Sequence, residues 1–233
     1  MKKLAHILLL ALAMICASNA TAQRIHGYVN AGMAGAEIEG DELKGMKHWG
    51  FTGGVGAIAQ ITDNGMFSLA IEADYSCRGV TNRQTVKENY YNILMDLHYV
   101  DIPLTFFYHD PYGGLNIGLG FVYGRLVSQP SGQIRYNPNF FVPDTTNMMF
   151  LKNDFSPAIE IRFDVWRGLQ FSARYQYSLL KVKENWMFHD VANNKTWYND
   201  CYNSSLLLRL IWQFGDDDTY TGHKKGKKSK RRY

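Results

Sequence analysis

The segment Leu169-Gln170-Phe171-Ser172-Ala173-Arg174-Tyr175-Gln176-Tyr177-Ser178-Leu179 alternates apolar or aromatic residues with polar ones without a break. Side chains on a strand point to opposite faces in turn, so this segment predicts a strand with one greasy face and one polar face carrying Arg174. The same two-residue beat returns at 156–165 and 204–214. A soluble sandwich would turn the charged members toward water. A membrane barrel would turn the greasy members toward lipid and enclose the charges. The ends of the chain and the lengths of its connections decide between the two.

Lys2 and Lys3 precede an apolar run at 7–16 and the small-residue exit Ala20-Thr21-Ala22. This pattern predicts a secretory signal over 1–22, cleaved after Ala22. The run is too short to span a membrane, which takes about 20 apolar residues. Cys16 after an apolar run resembles a lipoprotein signal, but Ile15 is bulky where that processing needs a small residue. No later stretch is apolar enough for a transmembrane helix, which excludes helical membrane proteins. Beyond the signal only Cys77 and Cys201 remain, too few for a disulfide framework; two free thiols or a single bridge both fit.

The formal net charge of +4 is unevenly spread. Lys2 and Lys3 supply +2, and the segment after Phe214 supplies +4, from seven basic residues against Asp216, Asp217 and Asp218; the body therefore carries −2. The basic residues are Lys224, Lys225, Lys227, Lys228, Lys230, Arg231 and Arg232. A nucleic-acid reader carries basic charge across its fold, so nucleic acid is not an expected partner.

Alternation and turn chemistry divide the body into eight strands, at 25–37, 49–62, 66–79, 93–108, 114–128, 150–165, 169–182 and 203–214. Their lengths suit tilted bilayer-crossing strands of about 9–11 residues. Three connections are tight: Asp63-Asn64-Gly65, Asp110-Pro111-Tyr112-Gly113 and Trp166-Arg167-Gly168. The other four, at 38–48, 80–92, 129–149 and 183–202, are long, and long strictly alternates with short. An up-and-down barrel in the outer membrane has this asymmetry, with short periplasmic turns and long outer loops. The expected architecture is all-β: an eight-stranded antiparallel transmembrane barrel over 23–214, followed by a disordered basic periplasmic tail over 215–233. The expected location is the outer membrane.

Phe67, Leu69, Ile71, Ala73 and Tyr75 should then face lipid, as should Ile159, Ile161 and Phe163, and Leu206, Leu208, Leu210, Trp212 and Phe214. The interleaved charges Glu72, Asp74, Glu160, Arg162, Asp164, Arg174 and Arg209 should point inward, since Arg or Lys at the bilayer midplane costs roughly 2–4 kcal/mol. An eight-stranded barrel is only wide enough for side chains, so the expected lumen is a salt-bridged plug rather than a channel. Gly54, Gly56, Gly118, Gly120 and Gly124 on the inner register suit a crowded interior. The run Gly118–Gly124 lacks the strand–turn–helix context of a phosphate loop.

Several segments resemble the PorT-like outer-membrane β-barrel family of the Bacteroidetes. They are Glu72-Ala-Asp-Tyr-Ser-Cys-Arg-Gly79, Tyr99-Val-Asp-Ile-Pro-Leu104, Gly114-Leu-Asn-Ile-Gly-Leu-Gly120, Asn153-Asp-Phe155, Arg174-Tyr-Gln-Tyr177 and the closing strand at 206–214. The most specific piece is Asp101-Ile102-Pro103-Leu104, which adds Asp101 to the expected inward charges. The resemblance implies the same fold and location, and it implies a part in protein secretion across the outer membrane. The chain departs from the family pattern by running on past Phe214 into the charged tail.

Functional candidates lie at the periphery. The final strand, ending Leu210-Ile-Trp-Gln-Phe214, resembles the insertion signal read by the barrel-assembly machinery; its aromatics also suit the lipid–water boundary. Trp186, Phe188, Trp197, Tyr198 and Tyr202 in the last long loop form an aromatic set for ligand or partner binding, or one that packs on itself. The tail is a candidate contact for anionic lipid, a wall polyanion or an acidic periplasmic partner, at roughly 1 kcal/mol per basic residue near a charged surface. A lipid-modifying enzyme would need a His with a Ser or an acid at the rim, which leaves His98 with Asp96, and His189 with Asp190. Neither His has a Ser beside it in sequence, so the expectation is no enzyme. No metal-ligand spacing, cofactor motif or nucleotide motif is legible. The expected function is structural, or that of a binding or adaptor module working through outer loops or tail.

Overall fold

The computed structural model describes residues 25–214 apart from 42–44, 63, 82–90, 112–113, 137–140, 146–148 and 192. The signal, the basic tail and parts of two tight turns therefore lie outside the described residues. Ten strands form: β1 (Ile25–Glu39), β2 (His48–Gln60), β3 (Phe67–Thr81), β4 (Tyr91–His109), β5 (Leu115–Tyr136), β6 (Phe141–Pro143), β7 (Asn153–Trp166), β8 (Leu169–Tyr177), β9 (Lys183–Asp190) and β10 (Lys195–Gln213). Eight of them, in the order β1-β2-β3-β4-β5-β7-β8-β10, close into an antiparallel barrel when β10 pairs back onto β1. The expected eight-stranded up-and-down barrel is the architecture found.

Alternation dictates the two faces. On β3 the odd positions Leu69, Ile71 and Tyr75 are exposed, while Ser68, Ala70, Glu72, Asp74, Ser76 and Arg78 are buried. The exposed face continues around the wall through Ile102, Leu104 and Phe106 on β4, Ile117, Leu119 and Phe121 on β5, Ile159, Ile161 and Phe163 on β7, and Leu210 and Trp212 on β10. An uninterrupted apolar belt on the outside of a closed barrel is stable only against hydrocarbon. Ile71→Arg at mid-belt is therefore expected to cost roughly 2–4 kcal/mol of folding stability in phospholipid, whereas Ile71→Leu is tolerated. Urea titration of both variants in vesicles checks this.

The tight turn that is described in full is as local as its sequence implies. Arg167 and Gly168 both have positive φ (30° and 82°), as a two-residue hairpin turn between Trp166 and Leu169 requires. Inside, two glycines make room for functional side chains. A Cβ on Gly54 would lie 2.2 Å from Asp74 Oδ1, and one on Gly56 would lie 2.4 Å from the Tyr28 ring.

Parts of two expected loops form strands. The stretch at 183–202 is not a free loop: β9 and the first part of β10 form a hairpin, and β6 pairs onto β9. These three strands make a second small sheet beyond the long-loop end of the barrel. Likewise β5 runs on to Tyr136, paired with the start of β4 at Tyr91. The physical cause is a new apolar surface. Trp186, Phe188 and Cys201 face inward and join Ile38, Val80, Met95, Leu97, Tyr99, Leu126, Phe150 and Val182 in one buried cluster. This cluster caps the barrel. The expected seventh strand ends earlier, at Tyr177, because the chain leaves the wall there and Val182 enters the cap.

Candidate functional site

Successive inward positions of β3 step through the interior in layers. Ala70 belongs to a lower apolar layer with Tyr28, Ile58, Phe107 and Ile211. Glu72 and Asp74 sit in a central charged layer, Ser76 and Arg78 in an upper one, and Val80 in the apolar cap.

The central layer holds three carboxylates and three guanidinium groups. Glu72 Oε1 accepts from Arg162 Nη2 (2.6 Å) and from the Tyr28 hydroxyl (2.7 Å). Glu72 Oε2 accepts from Arg174 Nη2 (2.8 Å) and Arg209 Nη1 (2.7 Å). Glu160 Oε1 accepts from Arg162 Nε (2.7 Å), Arg209 Nη2 (2.8 Å) and Ser172 Oγ (2.6 Å), and Oε2 from Arg174 Nε (2.7 Å). Asp74 takes Asn30 Nδ2 at 2.8 Å and lies 3.1 Å from Arg209 Nη1. The Arg162 guanidinium also stacks between the Phe107 ring (4.3 Å) and the Tyr28 ring (5.0 Å). The layer is neutral and every member is buried. Charge removed from water this way is tolerable only when every charge meets an opposite one, as each of the six does here. Arg209 Nε itself is buried without a hydrogen-bond partner.

The upper layer is smaller. Arg78 donates to Asp154 at 2.8 Å and to Asp101 at 2.5 Å, and its guanidinium lies 4.7 Å over the Tyr99 ring. Ser178 and Asn203 donate to Asp154, and Ser76 donates to Asp101. Arg78 and Asp154 escaped the sequence reading, although both lie on the alternate positions that carry Glu72 and Glu160. Extending the alternation three steps from Glu72 and from Glu160 reaches them.

The structure thus gathers Glu72, Asp74, Glu160, Arg162, Arg174 and Arg209 into one network and places Asp101 in the layer above. Asp164 stands apart. It is exposed at the short-turn end, where Gln170 Nε2 donates to it at 2.7 Å. Of the loop aromatics, Trp186 and Phe188 are buried in the cap and Trp197 packs against it; Tyr202 stacks on Tyr177 at 6.4 Å. Only Tyr198, 61% exposed, presents its ring broadly to the surroundings. The self-packing alternative describes Trp186, Phe188 and Trp197. The rim histidines are held by neighbours other than a nucleophilic serine: His98 Nδ1 lies 2.7 Å from the Tyr75 hydroxyl, and His189 Nδ1 lies 2.8 Å from Thr196 Oγ1. The seven basic tail residues lie outside the described residues.

A closed antiparallel barrel, greasy outside and ion-paired within, defines an integral β-barrel protein of the outer-membrane class. The chain belongs to the outer membrane protein beta-barrel domain family, whose model matches residues 7–214. Membership places the apolar belt in the outer membrane. Among solved structures it is similar to Neisserial surface protein A (TM-score 0.46, 14% identity, 81% of this chain and 97% of that one). It is also similar to the attachment invasion locus protein Ail of Yersinia pestis (0.44, 12%, 81% and 98%). A third is OprG of Pseudomonas aeruginosa (0.41, 11%, 82% and 97%). No curated protein sequence matches the chain.

Proposed function

We propose that this protein is a non-conducting outer-membrane barrel whose work is done at its outer surface, as a binding or adaptor module. One observation carries this reading. The interior is blocked twice, by a neutral six-charge layer and by an apolar cap, so solute passage is the task this interior fits least. What the chain builds beyond the wall is a platform of β6, β9 and the outer half of β10, with Tyr198 exposed on it. An exposed aromatic on an ordered sheet suits stacking on a sugar or seating a partner's apolar side chain.

Two measurements test the proposal. Reconstituted in planar bilayers, the protein should show no steady single-channel conductance. A photo-crosslinking residue placed at Tyr198 in intact cells should capture a defined partner that the same residue at Ile71 does not. Steady conductance, or identical adducts from both positions, overturns the reading.

A second reading, an accessory role in protein secretion, rests on the resemblance to PorT-like barrels. Its most specific motif acquires a structural explanation: Asp101 anchors Arg78, and Pro103 faces the lumen two residues on. The motif therefore supports shared architecture more than shared task. On this reading the basic tail would contact an acidic periplasmic partner, and deleting 222–233 would impair secretion while leaving the barrel folded. Insertion by the assembly machinery through the strand ending at Phe214 is proposed on either reading.

A further inference from the structure

Three unlike donors converge where the outer ends of β2, β3 and β4 meet. His48, Cys77 and Asp96 each offer a ligand atom, and these atoms all lie within 4.8 Å of one another. His48 Nε2 stands 3.5 Å from Asp96 Oδ1. A tetrahedral zinc ion with N and O ligands at about 2.0–2.2 Å and S at about 2.3 Å has donor–donor edges of about 3.3–3.8 Å. The His–Asp edge already has that length, and the thiol edges, about 3.5–3.7 Å around such an ion, need to contract by about 1.3 Å at most.

The imidazole is prepared for a ligand. His48 Nδ1 lies 3.0 Å from Thr81 Oγ1; in the tautomer that donates from Nδ1 to this hydroxyl, the lone pair is on Nε2. His48 is 5% exposed, and its Nε2 is buried with no hydrogen-bond partner. A histidine held through one ring nitrogen while the other faces a thiol and a carboxylate is the arrangement metal sites use to fix tautomer and orientation. The site is also accessible, because Cys77 and Asp96 are both half-exposed. His98, the cross-strand neighbour of Cys77, is held by Tyr75 and is not counted as a ligand.

We infer that His48, Cys77 and Asp96 form a zinc site on the outer rim, with the fourth position left to water. A mixed imidazole, thiolate and carboxylate set is borderline-soft, which suits zinc and disfavours calcium and magnesium. Binding replaces the Cys77 S–H proton by the metal, so one proton leaves for each ion bound, without redox change. The residues stand 29 and 19 positions apart on three strands, which is why no ligand spacing is legible in the sequence.

The test uses the purified protein in detergent micelles with its thiols reduced. Zinc titrated calorimetrically should bind one to one, and cobalt(II) in its place should give a thiolate-to-metal charge-transfer band in the near ultraviolet. Cys77→Ser should abolish that band, and the double variant Cys77→Ser/His48→Ala should lose the zinc isotherm. Thr81→Val, which removes only the hydrogen bond behind the imidazole, should weaken zinc by about 10–100-fold. The heat-dependent gel mobility of each variant verifies that its barrel is closed. Absence of the cobalt band in the unaltered protein, or an unchanged zinc isotherm in the double variant, overturns the assignment.

Discussion

Glu160→Gln is expected to destabilise the barrel by about 3–5 kcal/mol, because it removes one buried charge from a neutral set and leaves three arginines facing two carboxylates. Glu160 takes direct hydrogen bonds from Arg162, Arg174, Arg209 and Ser172, more than a neutral amide can accept. The measurement is urea unfolding in micelles, followed by tryptophan fluorescence. Adding Arg174→Met should recover part of the loss, since it restores neutrality and fills similar volume with apolar atoms. A single-variant loss below about 1 kcal/mol, with no coupling to Arg174, would mean that water screens these charges and the lumen is wet.

Trp186→Ala is expected to cost about 3–5 kcal/mol as well, but locally. Trp186 packs against Phe188 (ring centroids 5.2 Å) and Phe150 (6.3 Å), and its indole N–H donates to the Asp144 carbonyl at 3.1 Å. The small outer sheet is attached to the wall through β10 and through this cap, whereas the wall itself is closed by eight strand pairings. Elements with fewer contacts open independently of the rest. Outer-loop proteolysis should therefore rise sharply in Trp186→Ala, while the barrel keeps its folded mobility on unheated gels. Loss of that mobility would show that the cap is required to close the barrel. Unchanged proteolysis would show that the cap contributes nothing to the outer sheet.

Particular residues show how far a sequence of this kind can be read. Glu72 and Asp74, or Glu160 and Arg162, are two apart on strands whose other positions are apolar, so their inward direction follows from the pleat alone. Arg78 and Asp154 obey the same rule but lie near strand ends, where boundaries are hardest to place. Asp164 also obeys it in register, yet depth along the barrel puts it beyond the enclosed layers. Trp186 and Phe188 fit either of two readings, because an aromatic in a long connection has no register until the segment finds a partner strand.

Sequence alone determined the periodic properties of this protein: the eight wall strands, their two faces, the turn at Arg167-Gly168 and the membrane-facing belt. Each depends on neighbours one or two residues apart, where the geometry of the extended chain leaves little choice. Only the tertiary structure decided which arginine meets which carboxylate, that a long connection folds into a capping sheet, and that His48, Cys77 and Asp96 share one corner. Those outcomes depend on shear, depth and the approach of strands distant in the chain, and no local pattern of residues encodes them.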